Sequence, residues 1–157
     1  MKLSDIVSED LILPDLHGKD VSSVLQEFAG AVCGSGRYSD RNLLFDRLYE
    51  REEQESTGIG NGMAIPHCKV ENLKDVFLAI GYSESGVDFH AIDGKPVHFF
   101  FMVVSPANAS VLHLRTLAAL SRLLKSQNFL THLRQRPEKA QLIAIIKQEE
   151  EGAAVTP

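Results

Sequence analysis

The spacing of apolar residues changes period several times along the chain, and each change predicts an element. Residues 3–13 read as a short helical turn followed by a strand that Pro14 ends. From Asp20, a suitable N-cap, Val21, Val24, Leu25, Phe28, Ala29 and Val32 recur at the spacing of an amphipathic helix, which Gly34 and Gly36 terminate. A second helix is predicted from Asp40 to about residue 53, with Leu44, Phe45 and Leu48 inward and Arg41, Arg47 and Arg51 among the polar positions.

The pattern then turns to strands. Lys69 and Val70 close a short strand after His67. Over residues 76–83, Val76, Leu78 and Ile80 alternate with Phe77, Ala79 and Gly81, and two apolar faces imply a sheet covered on both sides. Asp93-Gly94 is a tight-turn signal between residues 87–89 and the apolar run 97–104. That run is too short to cross a membrane and is predicted to be the central strand. Residues 105–110 form a loop that offers Ser110 as N-cap to a helix with His113, Leu117, Leu120 and Leu124 on one face. Two short helices, 129–134 and 137–147, follow. The expected architecture is a single α/β domain over residues 1–150, a mixed β-sheet sandwiched between helical layers, with a disordered tail at 151–157, the disorder beginning as early as residue 149.

Composition narrows the classes. At 157 residues, 44% hydrophobic and 24% charged, the chain is ordinary for one globular domain. A domain of this size buries about 70% of the surface its unfolded chain exposes. The start has neither a signal peptide nor a spanning segment, so a cytoplasmic protein with no membrane insertion is expected. Cys33 and Cys68 lack disulfide or zinc spacing and read as free thiols. A net charge of −5 argues against direct nucleic-acid binding. The acidic clusters Glu50, Glu52, Glu53, Glu55 and Glu149 to Glu151 read as solvated faces.

The candidate chemistry lies in residues 56–69. Gly58, Gly60 and Gly62 at alternate positions argue against a regular strand or helix and for a shaped loop. Pro66 holds Met63-Ala64-Ile65 extended and places His67 on stiff backbone beside the loop. Loop N–H groups suit an anion, and a neutral imidazole is a competent nucleophile. These residues therefore fit a histidine that takes up a phosphoryl group, or a glycine turn followed by a surface histidine. The loop is neither Gly-x-Gly-x-x-Gly nor a P-loop, so a nucleotide cradle is disfavoured. Arg51 either turns its guanidinium toward whatever the loop binds or pairs with an acid such as Glu55. His113 is either a packed core histidine or a second site residue beyond the central strand.

The stretch Ser56-Thr57-Gly58-Ile59-Gly60-Asn61-Gly62-Met63-Ala64-Ile65-Pro66-His67 resembles the active-site signature of the IIA components of the bacterial phosphoenolpyruvate-dependent phosphotransferase system, of the fructose, mannitol and nitrogen-regulatory type. Residues 87–97 and 105–108, with the helix that follows, share the resemblance, so it spans most of the chain. It implies that His67 is the phosphoryl acceptor, at Nε2, with His113 and Arg51 stabilising the phosphoryl group and residues 56–62 as its binding loop. It also implies an HPr-like donor and, as next partner, either a regulated protein target or a IIB domain. No cofactor or metal is expected. A regulatory, nitrogen-type role is favoured, because no IIB or membrane module accompanies the domain. The alternatives are a sugar-specific IIA component and, from another class, an anion-binding or sensor module without covalent chemistry; a metal-dependent hydrolase is poorly supported by ligand spacing. His17, His90 and His132 read as surface residues, and His98 as one that only borders the site.

Overall fold

The computed structural model describes residues 1–155. A 3-10 turn at Leu3–Asp5 leads into β1 (Val7–Leu13). Helix α1 (Val21–Gly34) starts at Asp20, whose carboxylate accepts from the Ser23 N–H at 2.8 Å while the Ser23 hydroxyl accepts from the Asp20 N–H. Helix α2 (Arg41–Gln54) is capped by Asp40, which accepts from the Leu43 N–H.

The glycine stretch departs from expectation. It forms a small hairpin, β2 (Gly58–Gly60) antiparallel to β3 (Met63–Ala64), in place of an irregular loop. Gly60, Asn61 and Gly62 all adopt positive φ, at 94°, 57° and 77°. The glycines supply the left-handed backbone of a tight bend and leave room for a strand on either side.

β4 (His67–Val70), β5 (Phe77–Val87) and β6 (Val97–Pro106) complete the sheet. β5 is longer than its alternation predicted, because Gly86 at φ +83° lets the strand pass an irregularity and resume at Val87, opposite Val97. β6 is central. It pairs antiparallel with β5 on one side and parallel with β3 and then β4 on the other, while β1 lies parallel beside β5.

Helices α3 (Ser110–Lys125), α4 (Gln127–Leu133) and α5 (Lys139–Val155) follow. Ala109, not Ser110, is the N-cap of α3; Ser110 is already helical, and its hydroxyl accepts from the Lys69 ammonium at 3.0 Å. Helix α5 runs on to Val155, past residue 147 where its end was expected; of the tail expected to be disordered, residues 156–157 lie outside the described residues. Its end is anchored: Glu150 accepts from the Leu3 and Ser4 N–H groups at 2.6 and 3.0 Å, and Glu149 accepts from Ser126 and Asn128. Glu149 and Glu150 are therefore bonded within the protein and do not merely face solvent.

The period-2 pattern sorts the core into two layers. Phe100, Met102 and Val104, with Phe77 and Ala79, are buried against Phe28, Leu44 and Leu48 of α1 and α2. Phe101 and Val103, with Leu78 and Ile80, are buried against Leu120, Phe129 and Ile146 of the last three helices. This is the expected single domain with a mixed sheet between helical layers. The parallel pairing sets His67 of β4 opposite Val103 of β6, and α3 begins just beyond the end of β6. His67 and His113 are thereby delivered to the same end of the sheet.

Candidate active site

His67 opens β4 directly after Pro66, and its ring is gripped at both nitrogens. Nδ1 lies 2.8 Å from the Ile65 carbonyl oxygen, and the Arg51 Nε–H donates to Nε2 at 3.2 Å. A carbonyl oxygen only accepts, so Nδ1 carries the proton and Nε2 presents its lone pair. Burial pushes the pKa of His67 down; the Ile65 contact opposes this, and the Arg51 charge adds to the lowering. The resting ring is a neutral imidazole with its free nitrogen turned to a guanidinium.

His113 lies in the first turn of α3, buried, with its ring centroid 5.5 Å from that of His67 and the planes tilted by 48°. Its Nδ1 is 2.6 Å from the hydroxyl of Ser105, itself fully buried in β6. Burial first, then the neighbouring His67 and Lys69, lowers the pKa of His113 to about 4. Arg51, in the last turn of α2, also donates from Nη1 to the Glu55 carbonyl at 2.8 Å. It therefore turns inward to the imidazole and meets the backbone of Glu55, not its carboxylate. The three singled-out side chains, Arg51, His67 and His113, share one site.

The loop residues are arranged differently from a ring of free N–H donors. The Thr57 N–H and hydroxyl both donate to Glu52, at 2.5 and 2.8 Å. The Gly58 N–H donates to the Ser56 hydroxyl, which in turn donates to the Phe89 carbonyl, and the Asn61 N–H donates to Asp93. The N–H groups of Thr57, Gly58 and Asn61 are thus committed within the protein. What the glycines add here is close approach: a Cβ on Gly58 would meet Ala91 Cα at 2.7 Å.

Two contributors escaped the sequence reading. Glu52, counted with a solvated acidic cluster, is only 7% exposed. Its position was legible in the helix period, since it follows Leu44 and Leu48 at four-residue steps on the inward face of α2. Ser105 carried no comparable signal, because its partner is reached only through the turn from β6 into α3. The other histidines stand apart. His17 and His90 are exposed, His132 bonds the Asn128 carbonyl, and the ring of His98 bonds the Ser83 carbonyl and lies beside Tyr82. Among the described residues both cysteines are free, Cys68 being buried with its thiol pushed up to about 12, and no group of three or more His, Cys, Asp or Glu is placed to hold a metal. No helix among the described residues is long and apolar enough to cross a membrane.

A mixed sheet between helical layers is the fold that this chain shares with solved IIA structures of the phosphotransferase system. The chain belongs to the family described as phosphoenolpyruvate-dependent sugar phosphotransferase system, EIIA 2, whose model matches residues 5–149. It is 34% identical over 134 residues to a nitrogen regulatory protein of Bradyrhizobium diazoefficiens, covering 85% of this chain and 87% of that one. It is 32% identical over 150 residues to the fructose-specific EIIABC component of Bacillus subtilis, covering 96% of this chain but only 24% of that longer protein. Among solved structures it is similar to the nitrogen regulatory protein IIA-Ntr of Neisseria meningitidis, with a TM-score of 0.84 and 26% identity, covering 91% of this chain and 97% of that one.

Proposed function

We propose that this protein is a cytoplasmic phosphoryl carrier in which Nε2 of His67 accepts a phosphoryl group from the phosphohistidine of an HPr-like donor and passes it on. The observation that carries the reading is the state of the His67 ring: Nδ1 protonated on the Ile65 carbonyl, Nε2 unprotonated and beside Arg51. The Nε2 lone pair attacks phosphorus in line as the donor's P–N bond breaks, and that electron pair returns to the donor's ring. The transition state is loose, with charge spread over three equatorial oxygens. Arg51, released from the lone pair as the N–P bond forms, meets those oxygens as a fixed cation. A Ser105 hydroxyl that donates to Nδ1 of His113 leaves the Nε2–H of His113 as a second donor.

Retention of the Nδ1 proton has a chemical consequence. Once phosphorylated at Nε2, the His67 ring is cationic, and the Ile65 carbonyl supports that charge. A cationic imidazole is a good leaving group, which suits a carrier that must give the phosphoryl group up again. The hairpin of residues 58–64 is tied to the site through its flanking residues, the Ile65 N–H donating to the Thr57 carbonyl.

The surroundings fit a protein partner. Val111 and Leu114, 64% and 66% exposed, share the first turn of α3 with His113, while Ile59 and Ile92, 45% and 85% exposed, lie on and against the hairpin. Exposed apolar side chains at the start of the helix that carries His113 suit docking of a second macromolecule. A nitrogen-type, regulatory role is supported by relatives of that name matched over nearly their whole length. The sugar-specific reading, with transfer to a IIB domain, draws on the likeness to the fructose component.

Incubation with phosphoenolpyruvate and the general proteins of the system, followed by intact mass, tests the proposal. Addition of one phosphoryl group, lost in His67→Ala, is expected. Saturable binding of a small anion with no added mass would favour a non-covalent sensor instead, and onward transfer to a IIB domain would favour the sugar-specific role.

A further inference from the structure

The reacting imidazole is reached from a buried carboxylate through a chain of contacts that runs outside the site itself. Glu52 accepts from the Thr57 N–H at 2.5 Å and from the Thr57 hydroxyl at 2.8 Å, one contact to each carboxylate oxygen. The carbonyl of the same Thr57 accepts from the Ile65 N–H at 3.0 Å. The carbonyl of the same Ile65 accepts from His67 Nδ1 at 2.8 Å. Three successive links thus join the inward face of α2 to the nitrogen that fixes the His67 tautomer.

The neighbouring residue on α2 acts on the other nitrogen. Arg51 donates to His67 Nε2, and its Nη1 donates to the carbonyl of Glu55, close to Thr57 in the same connection between α2 and the hairpin. One helix end is therefore linked to both ring nitrogens, directly through Arg51 and through three successive contacts from Glu52. A surface acid would not serve. Glu52 is 7% exposed, and a carboxylate out of water is retained at a cost unless its oxygens are bonded, as both are here.

We propose that Glu52 is a positioning residue: by holding Thr57 it sets the Ile65 carbonyl against Nδ1 of His67, keeping the proton on that nitrogen and the Nε2 lone pair free. It touches neither donor nor phosphoryl group. The links join residues, not a single conjugated path, so the effect is one of placement, and charge on Glu52 is secondary to its ability to accept.

Two variants separate placement from mere stability. Glu52→Leu removes both acceptors while keeping an apolar side chain on the inward face of α2. Glu52→Gln keeps an amide oxygen able to accept from the Thr57 N–H. The direct readout is the pair of ring ¹⁵N shifts of His67 in the unphosphorylated protein, which reports the tautomer and does not depend on any transfer activity. The parent should show a single Nδ1–H form bonded to the Ile65 carbonyl, Glu52→Leu a displaced Nδ1 shift as that bond loosens, and Glu52→Gln a return to the parent pattern. The expected rate effect rests on His67 being the phosphoryl acceptor: at saturating donor, Glu52→Leu should slow phosphorylation by about 10-fold to 100-fold, the scale for a misplaced reacting group, with Glu52→Gln close to the parent. Unchanged His67 ring shifts in a folded Glu52→Leu protein overturn the proposal. Where that variant does not fold, Thr57→Val decides in its place: a smaller displacement of the His67 ring shifts supports the proposal and identical shifts overturn it. A parent that takes up no phosphoryl group refutes the function reading alone, since the tautomer still judges Glu52.

Discussion

Removing the guanidinium from the site while keeping a polar side chain, Arg51→Gln, isolates its electrostatic part. In the resting protein Arg51 Nε lies 3.2 Å from His67 Nε2, so oxygens of a phosphoryl group arriving on that nitrogen fall close to the cation. Two unit charges about 4 Å apart interact by about 4 kcal/mol at an effective dielectric of about 20. Arg51 is only half-buried, and the transition-state charge is shared by three oxygens, so roughly half of that, about 2 kcal/mol, is a reasonable share. That corresponds to about 30-fold in rate. Arg51→Lys keeps the charge, loses the planar fork and should fall between the two. Rapid-quench transfer from a phosphorylated HPr-like donor, at saturation, measures it. The pH profile separates a second effect: Arg51 also holds the His67 pKa down, so its loss lets the ring protonate more readily and should deepen the defect in acid but not in alkali. A single-turnover rate for Arg51→Gln indistinguishable from the parent at alkaline pH would refute the electrostatic role.

Three further outcomes are expected. His113 titrates at about 4 when folded against 6.5 for an ordinary histidine, so the folded state binds fewer protons between those values; stability is complete above about 6.5 and falls as pH drops toward about 4, by about 3 kcal/mol in all. Urea unfolding should show His113→Gln losing less stability on acidification than the parent, and equal losses would contradict the burial argument. Gly58→Ala drives a Cβ to 2.7 Å from Ala91 Cα, and thermal unfolding should show destabilisation of about 1–3 kcal/mol, typical of overpacking; an unchanged melting point would mean that the hairpin yields freely. Leu114→Asp, which alters an exposed apolar residue beside His113, should raise the KM for the donor protein and leave kcat nearly unchanged, whereas a fall in kcat alone would argue against a docking role.

Periodicity made the helices and the central strand legible, because Val24, Phe28 and Val32, or Phe100, Met102 and Val104, cannot be buried on one face in any other conformation. His67 could be singled out because glycines and a proline leave its backbone few choices. The hairpin was missed for the same reason: three glycines lower strand propensity, and only the pairing of Gly58 with Ala64 shows that a strand survives. Glu52 was hidden by its charge, since a carboxylate on an inward face reads as solvated until its acceptor role for Thr57 is seen. The continuation of α5 past residue 147 brings Glu150 to the N–H groups of Leu3 and Ser4 at the opposite end of the chain. No local window contains that information.

The most direct test of the central claim is the identity of the phosphorylated atom. With histidine-selective ¹⁵N labelling and transfer from phosphoenolpyruvate through the general proteins, the account predicts ¹⁵N–³¹P coupling on Nε2 of His67, with Nδ1 still bearing its proton and the His113 ring unphosphorylated. Phosphorus found on His67 Nδ1, on His113, or on no histidine would contradict it.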